Sequence, residues 1–166
     1  MRTAICPGSF DPVTLGHMDI IERTSVIFDQ VIVAVSRNPI KNPMFSIEER
    51  VEMLREVLSP YSNVAVDSFE GLTVDYAAEQ NAVAIVRGLR VISDFENEFR
   101  MALVNKTLAC RIETLFLMTS AQYSFISSSA IKDVAIFGGP VEGLVSPLVE
   151  KRLKEKLKGC YKGKEG

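Results

Sequence analysis

The chain has 166 residues with 47% hydrophobic and 24% charged side chains, enough for one domain to bury a core without covalent staples and too apolar for a disordered segment. Its 19 Lys+Arg against 21 Asp+Glu leave a net charge of -2, so no global field draws it to nucleic acid or to an anionic membrane, and neither is expected as a partner. An anionic ligand would instead need a local cluster of positive groups.

In chain order, residues 3–6 (TAIC) form a short apolar run stopped by Pro7-Gly8. Thr14 is placed to cap a helix from about Leu15 through Phe28. Residues 31–35 (VIVAV) read as a second strand, followed by a Pro/Asn-rich loop over 38–43. Ser46 and Glu49 form a capping box ahead of Ile47, Val51, Leu54 and Leu58, which recur at helical spacing. Residues 64–66 are a third strand, a helix starts near Thr73, and residues 83–86 are a fourth strand. Ile92, Phe95, Phe99 and Ala102 mark one face of a helix over about 91–108. Residues 115–118 (LFLM) make a fifth strand, and another helix starts near Ser128.

Residues 147–158 (PLVEKRLKEKLK) predict a terminal amphipathic helix with leucines inward and lysines in solvent, and 159–166 a frayed tail. Continuous apolar runs suit strands covered on both faces. The expected architecture is therefore a single domain over 1–166, α/β, Rossmann-like and doubly wound, with a mainly parallel five-stranded sheet and helices on both faces. Ligands of such sheets gather at the carboxyl ends of the strands. Cys6, Cys110 and Cys160 are odd in number and lack CxxC spacing, so neither disulfides nor a metal site is expected. The N-terminal apolar stretch is too short for a signal peptide and no run nears the roughly 18 residues of a membrane span, so the expected location is cytoplasmic.

The stretch PGSFDPVTLGH follows the first strand and puts His17, the single histidine, in the first turn of a helix. A helix start offers unpaired N–H groups and about half a positive charge, a seat for phosphate. Its dipole pushes an imidazole toward the neutral form, which still has one N–H to donate. Alone, His17 reads more readily as a cap or a packing residue than as a functional one. After the fifth strand, YSFISSSAIK places three serines before another helix, where hydroxyls and free amides would cap it or hold a polyphosphate. Arg87 and Arg90, separated by Gly88 and Leu89 just past the fourth strand, can offer two planar forks to one anion. Lys41 lies in the loop after the second strand, on the same edge of the sheet.

The Gly8-x-Phe10-Asp11-Pro12 and Thr14-x-Gly16-His17 pattern resembles the nucleotidyltransferase superfamily related to class I aminoacyl-tRNA synthetases, and ISSSxIK resembles that superfamily's second signature. PGSFDPVTLGH, NPIKNPMFSIEER, RGLRVISDFENEF and YSFISSSAIK, in this order, resemble bacterial phosphopantetheine adenylyltransferases from Ile5 to about Val134. The resemblance implies ATP and 4′-phosphopantetheine as substrates. It gives His17 the role of transition-state stabiliser, assisted by Lys41 and Ser9. It assigns Ser9, Phe10, His17, Gly88, Leu89, Arg90, Glu98 and the run Tyr123, Ser124, Phe125, Ile126, Ser127, Ser128 and Ser129 to ATP. It assigns Ser9, Lys41, Thr73 and Arg87 to phosphopantetheine. It further implies a Mg²⁺ ion bridging phosphate oxygens and a homo-oligomer, a hexamer. Two departures are visible: Ser9 stands for the commoner threonine, and Tyr123 for the tryptophan of some relatives. The rival expectations are an adenylyl- or cytidylyltransferase with another acceptor, such as nicotinamide mononucleotide or glycerol phosphate, and a nucleotide-binding module without turnover.

Overall fold

The computed structural model describes residues 1–37, 42–90 and 92–158. Five strands form one parallel sheet: β1 (Thr3–Gly8), β2 (Gln30–Arg37), β3 (Val64–Glu70), β4 (Ala84–Leu89) and β5 (Glu113–Met118), in the order β3-β2-β1-β4-β5. Helices α1 (Leu15–Ile27), α2 (Ile47–Val57), α3 (Thr73–Glu79), α4 (Ile92–Leu108), α5 (Ser128–Ile136) and α6 (Pro147–Leu157) alternate with or follow the strands.

Strand alternation splits the core in two. Ala4, Cys6, Val31, Val33, Val35, Ala84 and Val86 face one layer, where Ile20, Ile21, Leu54, Ile131, Val149 and Leu153 of α1, α2, α5 and α6 meet them. Ile5, Ile32, Ala34 and Ile85 face the other, against Val74, Tyr76 and Ala77 of α3. Helices therefore cover both faces of the sheet. In α6 the apolar Val149, Leu153 and Leu157 are buried, while Lys154 and Lys156 pair with Glu150 and Glu49 at the surface.

The two edge strands depart from the expectation that every apolar run is covered on both faces. β3 and β5 alternate between covered and open positions, and Leu115 and Met118 are exposed. Each has a strand neighbour on one side only. Phe95 and Phe99, which with Ile92 and Ala102 mark one face of α4 in the sequence, are 44% and 47% exposed.

The chain runs β1, β2, β3 outward, then returns to place β4 on the other side of β1. That reversal opens a crevice beyond the carboxyl ends of β1 and β4, the usual ligand position in such sheets.

Candidate active site

The loop after β1 is held in an unusual shape. Phe10 has φ 47°, a left-handed conformation that non-glycine residues rarely adopt. Its ring is buried and meets the His17 imidazole edge-on, with centroids 5.0 Å apart. Gly8 leaves the space the ring needs, since a Cβ there would stand 2.9 Å from it. The Asp11 carboxylate accepts from the backbone N–H of Met44 (3.0 Å) and Phe45 (2.9 Å) and from Lys132 Nζ (2.6 Å). Burial tends to raise the Asp11 pKa, but the bonds from Lys132, Phe45 and Met44 outweigh it and hold the carboxyl below its ordinary value. One carboxylate thus ties the first loop, the entrance to α2 and helix α5 together.

His17 completes a reciprocal cap at the start of α1. Its backbone N–H donates to Thr14 Oγ1 (3.2 Å), and its ring Nδ1 accepts from the Thr14 backbone N–H (3.1 Å). With Nδ1 used as an acceptor, the network assigns the ring proton to Nε2. Burial lowers the imidazole pKa to about 4, aided by the charges of Arg90 and Arg87. At neutral pH the ring is therefore uncharged and has Nε2–H to donate. The expected neutral state stands, with burial and two arginines as its causes.

Helix α1 also positions the second motif. Asp19 accepts from the N–H (3.0 Å) and hydroxyl (2.6 Å) of Ser120, and Arg23 Nη1 donates to the Met118 carbonyl (2.6 Å). A 3-10 turn over Ala121–Tyr123 then leads to Ser127, whose hydroxyl caps α5 by accepting from Ala130 N–H (3.1 Å). Ser128 donates to the Pro12 carbonyl (2.8 Å), and Arg90 Nη1 to the Ile126 carbonyl (3.2 Å). The first loop, the end of β4 and the serine turn are laced into one rim.

That rim surrounds a cleft of about 410 Å³. Of the residues singled out from the sequence, Ser9, Phe10, His17, Arg87, Gly88, Arg90, Glu98, Ile126, Ser127, Ser128 and Ser129 line it. Arg87 donates through Nε and Nη2 to both oxygens of Glu98 (2.7 and 2.5 Å) and through Nη1 to the Pro7 carbonyl (2.6 Å). Gly88 is required by packing as well as by the cleft, because a Cβ there would lie 2.8 Å from Ile20 Cγ1. A second cavity of about 290 Å³ shares Ser9, Ser128 and Ser129 with the first and adds Asp11, Ser36, Arg50 and Lys132.

Other expected residues fall elsewhere. Leu89 is buried in the core, and Phe125 is 70% exposed. Tyr123 packs against the larger core layer, and Ser124 caps its own turn by donating to Ala121. None of these four lines the cleft. Thr73 opens α3 past β3, two strands from β1 on the same rim, and lines neither cavity. Lys41 lies outside the described residues.

Sequence reasoning missed Thr14 as the orienter of the imidazole, although Thr-x-x-His matches the spacing of a capping box. It also missed Arg50, which carries no sequence mark of its own, and the cleft residues Asn97 and Thr119.

Residues 5–134 match the cytidylyltransferase-like family. A phosphopantetheine adenylyltransferase of Carboxydothermus hydrogenoformans is 60% identical over 162 residues, covering 96% of this chain and 100% of that one. Those of Desulforamulus reducens and Caldanaerobacter subterraneus are 58% and 57% identical, covering 94% and 95% of this chain and 97% and 99% of theirs. A solved structure of a candidate nicotinate-nucleotide adenylyltransferase from Vibrio parahaemolyticus superposes with a TM-score of 0.70 at 20% identity, covering 92% of this chain and 99% of that one, which shows a shared fold.

Proposed function

The chain belongs to the cytidylyltransferase-like family and, within it, to the phosphopantetheine adenylyltransferases, and from that premise we propose how its cleft works. The reaction transfers the adenylyl group of ATP to 4′-phosphopantetheine, giving dephospho-coenzyme A and pyrophosphate, a step of coenzyme A biosynthesis. An oxygen of the acceptor phosphate attacks the α-phosphorus of ATP. The bond from that phosphorus to the bridging oxygen breaks, and its electron pair leaves with pyrophosphate.

The observation that carries this reading is the shared cleft, in which His17, Arg87, Arg90 and the Ser127–Ser129 turn meet. The acceptor already brings the nucleophile, so no side chain has to form a covalent intermediate. What remains is to hold two polyanions in line, which can lower a barrier by roughly 7–11 kcal/mol. Neutral His17 is the donor to the α-phosphoryl oxygens through Nε2–H, worth roughly 3–4 kcal/mol for one well-aimed bond. Arg90 and the N-terminus of α5 hold the triphosphate. Arg87 keeps N–H groups beyond those given to Glu98 and Pro7, and these take the acceptor phosphate. Lys41 and Ser9 assist at the same phosphate. From the cleft to the end of β3 is roughly 10 Å, two inter-strand spacings, so an extended pantetheine arm lying across β2 would reach Thr73.

A Mg²⁺ ion arriving with ATP would draw charge from the phosphate oxygens. Asp11, the carboxylate of the neighbouring cavity, is already bonded to Lys132 and two backbone amides, so the nucleotide's own oxygens are the proposed ligands. The protein is proposed to act in the cytoplasm as a homo-oligomer, a hexamer. Phe95, Phe99 and Leu103 recur every four residues on α4 and are 44%, 47% and 54% exposed, a face suited to a second copy. No helix among the described residues is long and apolar enough to cross a membrane.

The test is to incubate the purified protein with ATP and, separately, 4′-phosphopantetheine, nicotinamide mononucleotide and glycerol phosphate, following pyrophosphate. Release is expected with phosphopantetheine. Release only with another acceptor, or ATP binding with no release, would reject the reading.

A further inference from the structure

Arg50 is 4% exposed, one of few charged side chains so deeply buried among the described residues, and no step of the reaction above uses it. Burying a cation is costly unless its donors are satisfied. Here Nε donates to the carbonyl of Ser46 (3.2 Å), the N-cap of α2, and Nη1 reaches across to the Ser9 carbonyl (2.8 Å). The second bond joins α2 to the loop that follows β1, 41 residues away in sequence.

The bond fixes more than the carbonyl. In a trans peptide the C=O of one residue and the N–H of the next point in opposite directions. Holding the Ser9 carbonyl toward Arg50 therefore aims the Phe10 N–H the other way. The cavities say where that is. Ser9 lines both, as do Ser128 and Ser129. Arg50 lines only the cavity that holds Lys132, and Phe10 lines only the cleft that holds His17. With its carbonyl bonded to Arg50, the Ser9–Phe10 peptide turns its N–H to the opposite side, and Phe10 itself lines the cleft that holds His17. Phe10 accepts a left-handed φ of 47° to do so, and its ring is pinned by contact with His17. Strain of this kind survives only where the surroundings over-determine it.

We propose that Arg50 is a positioning residue for the reaction: by holding the Ser9 carbonyl it keeps the Phe10 N–H directed into the cleft as a second donor, beside His17, to the α-phosphoryl group as negative charge builds on it. The proposal rests on the adenylyl-transfer reading above. It adds a residue that touches neither substrate and acts through one peptide plane.

The test is Arg50→Lys, which keeps the charge but lacks the planar fork that spans both carbonyls. The wild-type enzyme is measured alongside with ATP and 4′-phosphopantetheine, so loss of the underlying reading would show there as no turnover at all. Two readouts are taken per folded enzyme: kcat with the two KM values, and the ratio of rates with the two diastereomers of ATP carrying sulfur on the α-phosphorus. The expected result is a kcat lower by about 10- to 100-fold, as for a donor displaced by about 1 Å, with both KM values within about twofold. The diastereomer ratio falls toward one, because a fixed N–H bonds to one of the two non-bridging oxygens. A merely structural Arg50 would lower the melting temperature yet leave kcat and the ratio of the folded fraction unchanged, which overturns the proposal. A fall in kcat with the ratio unmoved, or a rise in KM at constant kcat, overturns it as well.

Discussion

Replacing His17 separates two tasks that one ring performs. His17→Ala removes the acceptor that satisfies the Thr14 N–H at 3.1 Å and the donor at Nε2. Loss of half a helix cap costs about 1 kcal/mol, which for a chain of this size lowers Tm by about 2–4 °C. Loss of a donor to developing charge costs roughly 3 kcal/mol, or about 10²-fold in kcat. His17→Glu restores the cap, because a carboxylate at this position accepts the Thr14 N–H as in a Thr-x-x-Glu capping box, yet it has no proton to give. The added negative charge also repels phosphate, so Ala carries the magnitude and Glu only the separation of stability from activity. Thermal melts and pyrophosphate release are measured on all three proteins. Ala is expected to show both reductions, and Glu to regain Tm while turnover stays at least about 10²-fold below wild type. Recovery of activity together with Tm in the Glu variant, or a loss under about threefold in Ala, would reduce His17 to a cap and refute the reasoning.

Arg87→Ala is expected to raise the KM for 4′-phosphopantetheine by roughly 10- to 100-fold, the equivalent of about 1.5–3 kcal/mol for a charge-assisted bond, with a smaller change for ATP; equal losses for the two substrates would contradict the assignment. Gly88→Ala forces a Cβ to 2.8 Å from Ile20 Cγ1 and should cost about 1–3 kcal/mol, so an unchanged denaturant midpoint would mean that α1 yields there. The folded-state pKa of His17, about 4, lies below the ordinary value of 6.5. Its neutral form is therefore favoured by folding, and that stability is complete above pH 6.5 and is lost as pH falls from there toward 4. As this is the chain's one histidine, a proton NMR titration reads the ring without ambiguity, and a midpoint near 6.5 would disprove the neutral state.

The fold was legible where local pattern and tertiary role agree. Central strands such as residues 31–35 are apolar throughout because both faces are covered. Caps at Thr14 and Ser46 mark helix starts because they satisfy local N–H groups. The edge character of β5 was hidden, since LFLM reads the same whether or not a partner lies beyond it. At the site, the motifs pointed to one rim because each follows a strand end. What they could not show was pairing across the chain. Arg50 sits among glutamates in EERVE and looks solvated, until the Ser9 carbonyl arrives from another element. Glu98 reads as one of several acidic residues on α4, and only the tertiary fold brings it to both prongs of the Arg87 fork. The neutral state of His17 was foreseen from the helix dipole, whereas its main cause, burial, follows from packing that no local spacing encodes.

Adenylyl transfer as proposed requires both substrates to meet in the one cleft. A crystal structure with a non-hydrolysable ATP analogue and 4′-phosphopantetheine measures this directly. The expected result is an acceptor phosphate oxygen about 3–3.5 Å from the α-phosphorus, in line with the bond to the leaving oxygen, and His17 Nε2 within hydrogen-bond distance of an α-phosphoryl oxygen. Phosphates bound in separate places, or an α-phosphoryl group out of reach of His17, would contradict it.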